Sequence, residues 1–155
     1  MQLTRRQQLG DFSSLVCFKA AIAGMEEALG EKATAIALTA AGRKRGKSLV
    51  QTLGLSHTSL PNEEIVTQLQ KALGIEGTRL CIVEKIETEG DKYKVYVSEA
   101  LCSAGEPDGS DRKCLFTLGA VWGAMEEILN KKFRGVHTES VLKGSPYDIF
   151  ELTPM

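Results

Sequence analysis

Residues 40–54, AAGRKRGKSLVQTLG, decide the fold because they admit two incompatible readings. From Ala41 the stretch runs through four residues to Gly46-Lys47-Ser48, close to the glycine-rich signature that cradles phosphate between a strand and a helix. That reading needs ATAIALT, residues 33–39, as the strand, then an exposed loop with Lys47 beside phosphate and Ser48 on magnesium. The first glycine of the signature is an alanine here, and no later apolar strand ends in an aspartate that would complete the magnesium site. The competing reading is a single helix. Ala35, Leu38, Gly42, Gly46, Leu49 and Leu53 recur on one slowly drifting face, with Arg43, Lys44, Lys47 and Gln51 largely on another. We therefore place a helix over 33–53, with Gly42 and Gly46 at a close helix crossing and no nucleotide on Lys47 or Ser48.

The flanks extend this pattern. FSSLVCFKAAIAGMEEALG carries Phe12, Leu15, Val16, Phe18, Ala21, Ile22, Met25 and Leu29 near a helical repeat, with Gly30 as a stop. SLPNEEIVTQLQKALGI predicts a third helix, with Ser59 as N-cap, Pro61 in the first turn, acids at Glu63 and Glu64, and Ile65, Leu69 and Leu73 four residues apart. After Gly74 and Gly77 the period changes. RLCIVEKIETEGDKYKVYVSEALC reads as a hairpin turning at Gly90-Asp91. KCLFTLGAVWGAMEEILNK predicts a fourth helix in which Gly119 and Gly123 offer close approach, and two further strands flank Gly144-Ser145-Pro146. The expected architecture is α+β: helices on a four-stranded, mainly antiparallel sheet. It forms a single domain over 1–155, with a helical part at 11–74 and a mixed part at 78–154.

Bulk properties narrow the function. A chain of 155 residues buries roughly 70% of its unfolded surface, enough for its own core. Its net charge of -1 supplies no global field for nucleic acid or an anionic membrane. No apolar run approaches the ~20 residues of a membrane span, and MQLTRRQQLGDF lacks the apolar segment of a secretory signal, so a cytoplasmic location is expected. In that compartment Cys17, Cys81, Cys102 and Cys114 are expected as thiols. The basic run at Arg43, Lys44, Arg45 and Lys47 reads as a solvated helix face, and without aromatic neighbours it does not support single-stranded nucleic-acid binding.

No catalytic residues are assigned. Cys17, amid Leu15, Val16 and Phe18, reads as a packing residue, and no positioned base for a cysteine nucleophile can be read from spacing. Glu26-Glu27 and Glu126-Glu127 diverge around their helices and read as solvent-facing ends. Cys102 and Cys114 flank a turn-rich segment, and His137 offers a third metal donor. This set falls short of a complete zinc site, so no metal is assigned and buried thiols are the preferred role. The apolar helix faces suggest a ligand pocket: Phe18, Ile22, Met25, Trp122 and Met125 as contact area, with Cys102 and Cys114 near the entrance.

From Tyr93 onward, and above all over SEALCSAGEPDGSDRKCLFTLGAVWGAMEEILNKKFRGVHTESVLKGSPYDIFELTP, the sequence resembles the 4-vinyl-reductase-like domain family. The landmarks are Cys102, Cys114, Gly119, Gly123, Glu139, Gly144 and the final Asp-Ile-Phe strand. The resemblance implies an α/β domain related to subunits of the TRAPP vesicle-tethering complex, dimeric, and binding small hydrophobic molecules such as a lipid, hydrocarbon or tetrapyrrole derivative. A second family cysteine pair corresponds to Ser140 and Asp148 here; Asp148 suits a metal, and Ser140 is a poor substitute for a thiolate. The first reading is thus a homodimeric binding or regulatory domain. A dimeric scaffold for a protein partner is the second, and an accessory factor or enzyme in vinyl-group reduction the third.

Overall fold

The computed structural model describes residues 5–155, so the first four residues of MQLTRRQQLGDF lie outside it. The described residues form two compact units, the first ending at Thr34 and the second spanning Ala35–Met155. In the smaller unit, α1 spans Leu15–Leu29. Ser14 caps it, its hydroxyl accepting from the Val16 N–H, and Gly30 ends it at φ 87° with its N–H on the Glu26 carbonyl. Ile22 is the buried side chain of α1, flanked at helical spacing by half-buried Phe18 and Met25. Phe12, Leu15, Val16, Leu29 and Cys17 are exposed, so the expected packing role of Cys17 is corrected. A cysteine between apolar neighbours turns outward when its position on the helix does.

Helix α2, Glu31–Thr52, starts in the smaller unit and runs unbroken through 42–48, where a phosphate loop would have to interrupt it. The larger unit contains the rest of α2 together with α3 (Asn62–Leu73), β1 (Ile82–Glu89), β2 (Lys92–Ser98), α4 (Leu115–Leu129), β3 (Phe133–Glu139) and β4 (Asp148–Pro154). The four strands pair antiparallel throughout, in the order β1-β2-β4-β3. The hairpin turns at Gly90-Asp91 as expected, with Gly90 at φ 64°. Ser59 is not the α3 cap: Pro61 holds that position without a side-chain bond, and Ser59 instead donates its N–H to the Ile128 carbonyl at the end of α4.

Alternation along the strands sorts the two sheet faces. Val95 and Val97 on β2, Phe150 and Leu152 on β4 and Phe133 on β3 join the core with Ile65, Leu69, Val121, Met125 and Ile128. The other face carries Lys85, Glu87 and Tyr96, tied together by a 2.8 Å ion pair and a 2.7 Å hydrogen bond. α4 is apolar nearly all round and is accordingly enclosed, with ten of its residues buried.

What lets α4 be enclosed is its contact with α2. A Cβ at Gly42 would lie 2.2 Å from the Phe116 carbonyl oxygen, and one at Gly46 would lie 1.9 Å from that of Ala120. Reciprocally, Gly119 and Gly123 face the Thr39 and Arg43 carbonyls at 2.4 and 2.1 Å. Four glycines therefore bring two helix backbones into direct contact, as the sequence led us to expect for each pair. Gly46→Ala should cost about 3 kcal/mol or more by forcing the backbones apart, lowering the melting temperature by roughly 10 °C. Gly24→Ala in α1, where nothing lies within 4 Å, should be neutral or stabilising by up to about 1 kcal/mol. Thermal unfolding of both variants checks the contrast.

Candidate functional site

At the start of α4 the core face of the sheet turns polar. His137 on β3 occupies the alternation of Phe133, and Asp148 on β4 that of Phe150 and Leu152, so both point inward where apolar residues are the rule. Both are buried, together with Cys114, Cys102 and Ser140. His137 Nδ1 accepts from the Cys114 backbone N–H at 3.2 Å. The ring proton therefore sits on Nε2, which donates to Asp148 Oδ1 at 3.0 Å. Asp148 Oδ1 also accepts from the Val141 N–H, and Oδ2 accepts from the Ser103 hydroxyl at 3.3 Å. The Ser103 oxygen in turn lies 3.5 Å from Cys114 Sγ. The ring of His137 meets Phe150 edge-on, with centroids 5.1 Å apart.

Cys102 and Cys114 form a disulfide, with Cα atoms 5.2 Å apart, so the expectation of four thiols is corrected. The turn at Leu101–Ser103 and the first residue before α4 are held face to face by the packing around them, and that geometry permits the bond whatever the intervening sequence. Cys17 and Cys81 are free. Cys81 is buried, and desolvation, with the Asp148 charge second, pushes its thiol up to about 12.

Cys114, His137 and Asp148 present donor atoms within 4.8 Å of one another, the spacing of a metal-ligand set. With the disulfide closed, Cys114 supplies no thiolate, and two protein donors are left where zinc takes three or four. With the bond reduced, the Cys114 thiolate restores a third donor, and His137 would exchange one of its hydrogen bonds for the metal. Sequence reading named all three residues separately. What would have joined them is strand register, since His137 pairs with Phe150 across β3 and β4 and Asp148 lies two residues before it.

The other residues proposed from sequence are placed as follows. Met125 is wholly buried in the core. Trp122 is half-buried, its ring 4.2 Å from the Arg43 guanidinium carbon, and a Cβ at Gly135 would come within 2.6 Å of it. Phe18, Ile22 and Met25 share one side of α1. Glu126 and Glu127 are not solvent-facing ends. Glu126 accepts from Arg43 at 2.7 Å and from the Phe133 N–H at 2.8 Å, while buried Glu127 accepts from Ser56 and Gln51. The Ser56 hydroxyl, outweighing desolvation with help from Gln51 and Lys47, holds the Glu127 carboxyl below its usual range.

Sequence reading missed a cleft of about 620 Å³ between the end of α3 and the start of β1. The chain after Gly74 folds back there, with the Leu80 and Cys81 N–H groups on the Leu73 carbonyl. Ile75, Cys81 and Ile82 supply its apolar wall, and Gln70, Arg79 and Glu99 its polar positions. Ile75 is 81% exposed.

The fold is that of the TRAPP-subunit and vinyl-4-reductase class, a four-stranded antiparallel sheet backed by helices. Among solved structures, the phenol-responsive sensory domain of the transcription activator PoxR, with phenol, matches at TM-score 0.69 and 12% identity, over 93% of this chain and 75% of that one. Trafficking protein particle complex subunit 3 from Naegleria fowleri, covalently bound to palmitic acid, matches at 0.58 and 11%, over 91% and 92%. A vinyl-4-reductase family protein from Methanocaldococcus jannaschii matches at 0.55 and 17%, over 95% and 85%. No protein-family model and no curated protein sequence matches the chain. No helix among the described residues is long and apolar enough to cross a membrane.

Thiol chemistry tests the site. Denatured, unreduced protein should titrate two thiols and dithiol-reduced protein four, and zinc should bind only the reduced form and not its His137→Phe variant. A finding of four thiols without reduction would remove the bond. The buried thiol adds a pH effect. Its pKa is raised above the ordinary 9.0, so its contribution to stability is full below about 9 and is lost as pH climbs toward about 12, because the unfolded thiol ionises first. Cys81→Ala should flatten that part of the stability profile, measured by denaturant titration at pH 8 to 11.

Proposed function

We propose that the chain is a binding or regulatory domain that takes a small hydrophobic molecule, a lipid, hydrocarbon or tetrapyrrole derivative, without making or breaking bonds in it. The observation that carries the reading is the α3–β1 cleft. It is roomy enough for such a ligand, has an apolar wall at Ile75, Cys81 and Ile82, and has a few polar groups to orient one end. A large exposed isoleucine at its mouth is an apolar surface without internal cover. Phenol in the PoxR sensory domain and palmitate in the Naegleria subunit support the class of ligand. Binding is non-covalent, because a thiol pushed up to about 12 stays protonated at neutral pH and is a poor nucleophile.

Two further candidate sets of contacts are Phe18, Ile22 and Met25 on α1, and separately Trp122, Met125, Cys102 and Cys114 around α4. A homodimer and a cytoplasmic location belong to the same proposal. The exposed Leu15, Val16 and Leu29 along α1 suit burial by a second copy or another protein partner.

Titration with a fluorescent fatty-acid analogue, and separately with phenol, tests the binding. We expect saturable binding of at least one, weakened about tenfold or more by Ile75→Glu, a change at an exposed position that leaves the core intact. Weakening by Phe18→Ala with Ile75→Glu silent would move the site to α1. No saturable binding, and no molecule extracted from protein purified from its native cell, would overturn the proposal.

A further inference from the structure

The basic run that opened the sequence reading has no role in the apolar cleft, yet the fold does not leave it on an isolated helix face. Lys44 and Lys47 of α2 border an open cleft of about 430 Å³, which His57 from the following loop and Asn130, Lys131 and Lys132 from the end of α4 close from the other sides. Three chain segments thus converge their donors on one volume.

Charge balance separates this cleft from an ordinary wet surface. Its two carboxylates are already committed. Glu126 holds Arg43 at 2.7 Å on one oxygen and the Phe133 N–H on the other. Glu127 holds Ser56 and Gln51 on one oxygen, with Lys47 3.7 Å from the other. Against five cations lining the cleft, those two acids leave three positive charges in excess, and Lys44, Lys131 and Lys132 have no carboxylate partner among the described residues. The whole chain carries a net charge of -1, so the excess is local.

Compensation of the α4 dipole does not account for it. Three of the last four carbonyls of α4 are already bonded: Glu126 O accepts from the Asn130 and Lys131 N–H groups, Glu127 O from His57, and Ile128 O from Ser59. Lys44 belongs to α2, well away from that helix's ends. A carboxylate ligand would neutralise one charge and leave two. An anion with several charges, tetrahedral and rich in acceptors, matches both the excess and the spread of ammonium, imidazole and amide donors.

We propose that this cleft binds a small anion bearing two or more phosphoryl groups. Side chains hold it, because α2 continues unbroken through Lys47 and its interior N–H groups are spent on the helix; the site is not a phosphate loop. It is separate from the apolar cleft, and the two stand or fall independently.

Calorimetric titration of the full chain with pyrophosphate in about 50 mM salt tests it, since surface charges are strongly screened at higher ionic strength. We expect one site, weakened at least tenfold by Lys44→Glu and by Lys131→Glu. Lys71→Glu, the same charge change at an exposed position outside the cleft, should alter affinity less than twofold. Equal loss in Lys71→Glu and Lys44→Glu would overturn the site in favour of bulk charge, as would the absence of binding or equal affinity for sulfate. Sedimentation with phosphatidylcholine vesicles, with and without phosphatidylinositol bisphosphate, separates the sources. Vesicle binding that pyrophosphate displaces identifies a lipid headgroup, whereas pyrophosphate binding without vesicle association identifies a soluble ligand; both support the cleft.

Discussion

Direct contact between the backbones of α2 and α4 is the constraint on which the larger unit depends. α4 is too apolar to tolerate solvent on any side, and the sheet can cover only part of it. The remainder must be closed by a helix lying within glycine distance, which Gly42 and Gly46 allow against Gly119 and Gly123. Larger residues would hold the helices at the usual 8–10 Å and leave gaps that a close-packed core does not sustain. The crossing also sets the register of the polar residues beyond it. It delivers Arg43 to Glu126 and onto the Trp122 ring, and brings Gln51 to Glu127. Those acids then secure the loop after α2 and the first residue of β3.

The opposite end of α4 is fixed by different means. Its N-terminal N–H groups have no side-chain cap, since Cys114 at the cap position has no oxygen to offer. The disulfide to Cys102 and the Cys114 N–H bond to His137 hold that end instead. Closing a loop of this length contributes about 3 kcal/mol if the denatured chain behaves as a simple polymer. The His137–Asp148 pair would be costly to bury alone, but each partner is saturated by the other, by Ser103 and by backbone N–H groups.

The order of elements was legible because it rests on local period. The three-to-four residue repeats at Ile65, Leu69 and Leu73, the alternation of Tyr93, Val95 and Val97, and the turn at Gly90 each signal their structure within a few residues. The glycine crossing was legible for a related reason, since two pairs at helical spacing mark one face each. What could not be read was pairing across distance. Glu126 and Glu127 look like a solvent-facing end until the chain 70 residues earlier is placed against them, and Cys102 and Cys114 look like ordinary buried thiols until the ends of their turn-rich segment are brought together. Cys17 was misread in the other direction, because apolar sequence neighbours say little about which side of a helix is covered. The α3–β1 cleft had no sequence signal. It arises where the chain folds back after Gly74, and Ile75 looks like any other apolar residue in a list.

The groups of the cluster behind α4 are committed to one another. A general base needs a free lone pair facing a substrate, but His137 has spent Nδ1 on a backbone N–H and its proton on Asp148. A cysteine nucleophile needs a thiolate, but Cys114 is bonded to Cys102, and Cys81 is held protonated by the same burial that makes it a packing residue. The reactive residues of this cluster are thus tied to one another and to the backbone, whereas the α3–β1 cleft and the basic cleft at the end of α4 are open to solvent. At this cluster the reactive groups stiffen the scaffold, holding the start of α4 against β3 and β4.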